Sequence, residues 1–401
     1  MSRAVATAPG PAEGRGAGGP GAGGARLGKP ADNSSRRRER RSEAMRTRAR
    51  LWEFSSLPRV RACGRVPTTS GGGAVLRLSE HSDGERRAGV AGLQSCGSPW
   101  ACPVCSRKIS AERSREVAQV LRTVAERNGS AALVTLTMRH REGDRLDVLW
   151  DALSHAWGAV TSGRGWVNDR ERFGIVGWLR AVEVTHGAHG WHVHVHAVVV
   201  LDAPTSLEMM EALGDRMFAR WEAKLQRLGL SAVADRGGLD VTPVQLTGDN
   251  IEAVSAYVTK ASLEVTAQTA KQARNGNRTP FAILRDFLAT GLADDGELWL
   301  AWERASHGRR QLTWSRDLRA WARLHRERSD EEVASEDLGG EDAIILPPET
   351  WAAVRSGGIT DLLDALELGG VPAAEKWLRS RSLAYVLARS GSSVGEQRPT
   401  G

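Results

Sequence analysis

Three histidines alternate with apolar residues in the segment Trp191–Leu201 (WHVHVHAVVVL). Neighbouring side chains on a strand point to opposite faces, so His192, His194 and His196 emerge on one side at a repeat of ~7 Å. Two adjacent imidazoles on such a face can grip a metal ion. Three of them suit a core badly, because each buried ring nitrogen needs a partner. The competing reading is a polar sheet face open to water, without metal. A tight hairpin through Gly187-Ala188-His189-Gly190, with Ala188 and His189 central, would pair Glu183 with His194 and set a carboxylate beside the imidazoles. A slip of one residue would send Glu183 to the other face. Two imidazoles and a carboxylate leave positions open on a divalent ion, as a catalytic site requires, and the same set also suits a non-haem iron oxygenase.

The chain has 14 tryptophans but two tyrosines, Tyr257 and Tyr385. Tyr257 lies in NIEAVSAYVTKASLE, a helical segment with Lys260 at i+3 and Glu264 at i+7 on the same face. A phenol with a pKa near ~10 is a weak nucleophile, but an ammonium and a metal-polarised phosphate reduce the demand on it. A lone tyrosine on an amphipathic helix is usually a packing residue; the histidine strand tips the balance toward function. Tyr385, in SLAYVLARS, has apolar neighbours at helical spacing and reads as core.

All four cysteines fall together: Cys63, then Cys96, Cys102 and Cys105 in CGSPWACPVC. A C-x-x-C knuckle with two further thiols fits structural zinc, whose closed shell does no catalysis. A redox pair is the weaker reading, because no thioredoxin-like βαβ pattern surrounds it. The following helix, Ser106 to about Arg127, carries Arg107, Lys108, Arg113 and Arg115 near its start. These could dock DNA or form a solvated basic face.

The elements that must position these groups follow from changes of periodicity. Strands are expected at 131–138, 174–185, 191–201 and 239–245, and helices at 146–160, 206–228 and 250–264. The order βαββαβ plus a helix predicts an α+β fold, a ferredoxin/RRM-like four-stranded antiparallel sheet with helices on one face and the other free for a site. The 401 residues carry a net charge of +7, suited to a polyanionic partner. Eight arginines fall in 36–50 and seven carboxylates in 329–342; both runs read as solvated, unfolded charge, the first also as a DNA contact. The expected organisation is a disordered Gly/Ala/Pro-rich and Arg-rich tail (1–55), a four-cysteine zinc module and helix (56–128), a domain carrying the histidine strand and Tyr257 (129–328), an acidic linker (329–342) and a small helical C-terminal region (343–401). No apolar run approaches the ~20 residues of a spanning helix, and no signal peptide is evident, so a soluble cytoplasmic protein is expected.

LVTLTM (133–138), GWHVHVHAVVV and AYVTK, in that order, resemble the three motifs of rolling-circle replication initiators of the HUH endonuclease superfamily. LRAVEVTHG, RTPFAIL and GRRQLTWSRDLR look similar to the actinobacterial plasmid branch, and the resemblance covers about 60–325. It implies that His194 and His196 are the paired metal ligands, that Glu183 or His192 completes a magnesium or manganese site, and that Tyr257 is the nucleophile. It further implies a 5′ phosphotyrosine, a free 3′ hydroxyl, a plasmid origin as substrate, and host helicase and polymerase as partners. Related initiators carry a similar C…CxxxWxCPxC segment, in keeping with zinc at the four cysteines. They often place a glutamate one turn before the tyrosine, where this chain has Ala253, with Glu252 and Glu264 nearby. The rival readings are a relaxase or single-strand transposase, disfavoured as a large relaxase because no GxxxxGK[ST] occurs, and a non-enzymatic zinc-dependent DNA-binding regulator.

Overall fold

The computed structural model describes residues 30–69, 72–81, 84–259, 276–336 and 339–388. In chain order the strands are β1 (Ala74–Glu80), β2 (Arg86–Ala91), β3 (Ser130–Thr137), β4 (Ile175–Gly187), β5 (Gly190–Leu201), β6 (Leu239–Pro243), β7 (Leu312–Trp314), β8 (Glu341–Leu346) and β9 (Val386–Leu387). They form two antiparallel sheets, β6-β3-β5-β4-β7 and β2-β1-β8-β9. No helix among the described residues is long and apolar enough to cross a membrane.

The first sheet carries the four expected strands side by side as fourth, first, third, second, and β7 adds a fifth at the edge. One face buries Val134, Leu136, Val182, Val184, Val193 and Val195 beneath the helices Leu146–Val160 and Leu207–Arg227. The second helix starts where the Ser206 hydroxyl accepts from the Met209 amide, satisfying one of the donors a helix end leaves unpaired.

The opposite face is not free over its whole length, which corrects the expectation. Beyond His196 the same-face residues of β5 are Val198 and Val200, and with Leu179 and Ala181 they are covered by the helices Pro103–Glu126 and Gly248–Thr259. Valine side chains lose water when covered, at roughly 25 cal/mol per Å², whereas imidazoles lose hydrogen bonds. The face therefore divides into a packed apolar end and a histidine end.

The domain boundaries also change. Residues Pro30–Phe54 form a 25-residue helix, so this part of the expected disordered tail is folded. Two of its arginines are paired with carboxylates from the far end of the chain: Arg37 and Arg41 with the buried Glu367, Arg37 at 2.8 Å, and Arg41 also with Asp364. Like charges in one run repel only until carboxylates from elsewhere in the chain cancel them. Leu51 and Trp52 of the same helix are buried, and the Trp52 indole N–H donates to the Cys63 carbonyl.

The acidic run is likewise no linker. Ser329 and Glu332 form a reciprocal capping box on the helix Asp330–Ser335, whose Val333 and Ala334 are buried. Asp330 pairs with Arg113 at 2.9 Å and Glu332 with Arg326 at 2.8 Å. Residues 341–346 then enter the second sheet as β8 beside β1, and the helix Ile359–Arg379 packs its apolar face on that sheet. The C-terminal region thus completes a layer begun before the cysteine knuckle. Tyr385 packs half-buried on this layer, its hydroxyl donating to Glu375 at 2.8 Å, but in an extended segment leading into β9 rather than on the expected helix.

Candidate functional site

The hairpin of β4 and β5 has the expected register, Glu183 opposite His194 and Gly187 opposite Gly190. Ala188 and His189 keep negative φ, and the left-handed step falls on Gly190 at φ 83°, a conformation without steric cost for glycine. Fixing that turn fixes which face Glu183 takes.

Glu183, His194 and His196 converge. Oε2 of Glu183 is 3.1 Å from His194 Nε2 and 2.8 Å from His196 Nε2, and the two ring nitrogens are 3.0 Å apart. Burial alone would raise the Glu183 carboxyl, but hydrogen bonds and charge from both histidines outweigh it and hold the group well below the usual carboxylate range. Burial also lowers His196, which favours the neutral, ligand-competent ring. Ligands at right angles on an ion with bonds of ~2.1 Å lie about 3.0 Å apart, and tetrahedral ligands at similar bond lengths about 3.4 Å. The observed spacings are near those of three mutually adjacent corners of an octahedron, so a divalent cation fits this donor set and would keep open positions opposite it. Thr135, which sequence reasoning did not single out, places its hydroxyl 3.0 Å from His196 Nδ1. It can hold that ring with Nε2 free for a metal. Its signal was the register of β3, which pairs Thr135 with His196.

Tyr257 lies on the helix Gly248–Thr259, with its ring 5.0 Å from that of His196 and its hydroxyl 3.4 Å from His196 Nε2. The side chain is 49% exposed, unlike a packing residue. Burial of its hydroxyl end, reinforced by the carboxylates of Glu183 and Asp240, raises its pKa, so the phenolate needs added positive charge. Asp240 was also missed; it pairs with Thr135 across β3 and β6, in the same row as His196. Lys260 and Glu264, expected beside Tyr257, lie outside the described residues.

His192 does not join the triad. Its ring stacks on His140, with centroids 5.2 Å apart and planes at 29°, and burial lowers its pKa to about 4.

The four cysteines form a second, buried cluster. Sulfur separations are 3.7 Å for Cys63 and Cys102, 3.5 Å for Cys63 and Cys105, and 3.6 Å for Cys96 and Cys105. A tetrahedron of thiolates at ~2.3 Å from zinc has edges of about 3.8 Å, while a disulfide would need ~2.05 Å. Burial pushes the Cys102 thiol well up, and four thiolates this close would need a cation to offset their charge. Cys102 caps the helix Pro103–Glu126 and Cys105 lies in its first turn, where backbone N–H groups favour negative charge. The knuckle shares the core of the first sheet: Trp100 packs against Trp150 and Trp302.

Three of the four basic residues after the knuckle are engaged within the chain rather than forming a solvated face. Arg107 donates to the Arg40 carbonyl, Lys108 to the carbonyls of Ala334 and Glu336, and Arg113, 5% exposed, to Glu116 and Asp330. These three seat the N-terminal and acidic helices. Arg115 alone is well exposed, with its side chain near Glu112.

A family model described as replication protein matches residues 88–347. Protein rep of Streptomyces lividans is 30% identical over 358 residues, 71% of this chain and 76% of that protein. Neomycin resistance protein of Streptomyces cyanogenus is 31% identical over 175 residues, 36% of this chain and 40% of that protein. No solved structure matches the chain. A site able to hold a divalent cation beside an exposed tyrosine, and a family match over more than half the sequence, lead to one conclusion: the chain belongs to the replication protein (Rep) family.

Proposed function

We propose that this Rep protein is a HUH-type endonuclease that nicks one strand at a plasmid double-strand origin and starts rolling-circle replication. The observation that carries this reading is the Tyr257 hydroxyl 3.4 Å from the ring nitrogen of His196 that also belongs to the Glu183, His194 and His196 donor set. A magnesium or manganese ion held by these three residues would draw charge from a non-bridging oxygen of the scissile phosphate. Tyr257 attacks the phosphorus in line. The bond from its oxygen to phosphorus forms as the bond to the 3′ oxygen breaks; the phenol gives up its proton and the leaving oxygen takes one. The product is a 5′ phosphotyrosine and a free 3′ hydroxyl for a polymerase. Lys260 is assigned the offset of developing negative charge, and Glu264 the role of a nearby carboxylate. Because the ester energy is kept, attack by a new 3′ hydroxyl can reverse the step and close a circle. Zinc at Cys63, Cys96, Cys102 and Cys105 is assigned a structural role.

The test is covalent trapping of end-labelled single-stranded origin DNA in the presence of manganese. Wild-type protein should form an adduct stable to denaturation, and Tyr257→Phe should form none while binding DNA nearly as well. An adduct that persists in Tyr257→Phe would move the nucleophile elsewhere.

A further inference from the structure

Beside the donor set, at the far end of the histidine row, a cleft opens between the end of β3 and the loop 229–238, with a volume of about 540 Å³. Small-ligand sites span roughly 300–1,000 Å³. Its wall carries the stacked rings of His140 and His192. His140 is fixed by donating from Nδ1 to the His189 carbonyl at 2.8 Å. His192 Nε2 is buried and has no hydrogen-bond partner among the described residues, an unpaired polar atom in the cleft wall. The rim bears exposed Arg139, Arg141 and Arg236. Asp144, the lining carboxylate among the described residues, accepts from the Arg141 backbone amide at 2.7 Å. The His192 ring lies 5.0 Å from that of His194, so the cleft borders the donor set.

We propose that this cleft seats one unpaired nucleotide of the DNA strand, next to the phosphate handled at Tyr257. The base extends the stack of His192 and His140, while flanking phosphates meet Arg139, Arg141 and Arg236. Flat rings accept any base by stacking, and guanidinium groups neutralise phosphate without regard to sequence. The inference rests on the nuclease reading above, and its test is chosen to be separable from it.

The probes are fluorescent dT12 and an abasic twelve-mer with the same number of phosphates, bound to the full zinc-loaded chain carrying Tyr257→Phe, in buffer without added magnesium or manganese, so that cleavage does not contribute. His192→Ala should weaken dT12 binding about tenfold, the scale of one lost base stack, and leave the abasic strand unchanged. His192→Phe should restore dT12 affinity, which separates stacking from loss of fold. Arg236→Ala should weaken both probes. The inference is overturned if His192→Ala leaves dT12 binding within twofold, or weakens the two probes equally. If the base-dependent binding is found but wild-type protein forms no covalent adduct with origin DNA, the cleft stands and the nuclease reading fails. An adduct formed without that base dependence gives the reverse.

Discussion

Replacing Thr135 with valine should weaken metal binding without disturbing the fold. The Thr135 hydroxyl is 3.0 Å from His196 Nδ1, and His196 itself is 3% exposed, so no water readily takes the hydroxyl's place. With Nε2 given to a cation, Nδ1 carries the proton and the hydroxyl oxygen accepts it; valine removes that acceptor and strands the N–H. Net hydrogen bonds contribute ~0.5–1.5 kcal/mol, about two- to thirteenfold in a binding constant. Partners behind metal-bound histidines typically count for ~10–100-fold. We expect a manganese affinity lower by about tenfold. Valine keeps the branched shape that a strand favours, so the melting temperature should move little. Thr137→Val supplies the control: Thr137 pairs with His194 on the same two strands, yet His194 Nδ1 has no hydrogen-bond partner among the described residues. Calorimetric titration of manganese into the DNA-free proteins decides it. Affinities of Thr135→Val and wild type within twofold, or equal losses in the two valine variants, would refute the positioning role.

Glu183→Ala should raise the manganese concentration needed for half-maximal nicking far more than His192→Ala, because Glu183 Oε2 lies within 3.1 Å of both ligating rings while His192 stacks on His140; the reverse order in a metal titration would make the three histidines the ligands. Cys102→Ser should lower zinc content and thermal stability together, since structural zinc contributes folding free energy directly; full stability with no zinc bound would remove the metal from this cluster. Glu367→Gln should destabilise the chain by ~3 kcal/mol or more by leaving Arg37 and Arg41 without a buried counter-charge, read by urea denaturation and by faster proteolysis within the Pro30–Phe54 helix.

What could be read from the sequence was what local chemistry determines. The two-residue turn and the period of two gave the pairing of Glu183 with His194, and the four central strands followed from their apolar patterns. The helix Asp330–Ser335 was also visible in principle, through the Ser329 and Glu332 capping box, but the carboxylate run masked it. So was the covered half of the site face: the unbroken apolar run Ala197–Leu201 marks a strand buried on both sides. The Pro30–Phe54 helix was not legible, because the carboxylate that neutralises it is Glu367, more than three hundred residues away. β7 is three residues long and has no period to detect. The intramolecular partners of Arg107, Lys108 and Arg113 were hidden for the same reason, being backbone carbonyls and carboxylates that only folding brings near.

The pairing of β1 with β8 has a kinetic consequence. Ala74 meets Leu346 across that ladder, so the second sheet cannot close until almost the whole chain has left the ribosome. The hairpin of β4 and β5, with its two-residue turn, can form as soon as it emerges. The metal donors therefore assemble early, whereas Leu76 and its neighbours stay exposed until Ile344 and Leu346 arrive. In that interval the arginines of the Pro30–Phe54 helix also lack Glu367, and the nascent protein carries an uncompensated basic arm beside its apolar edge. Production of the protein should be limited by this late closure, and a chain stopped near residue 328 should aggregate even though its histidines and Tyr257 are all present.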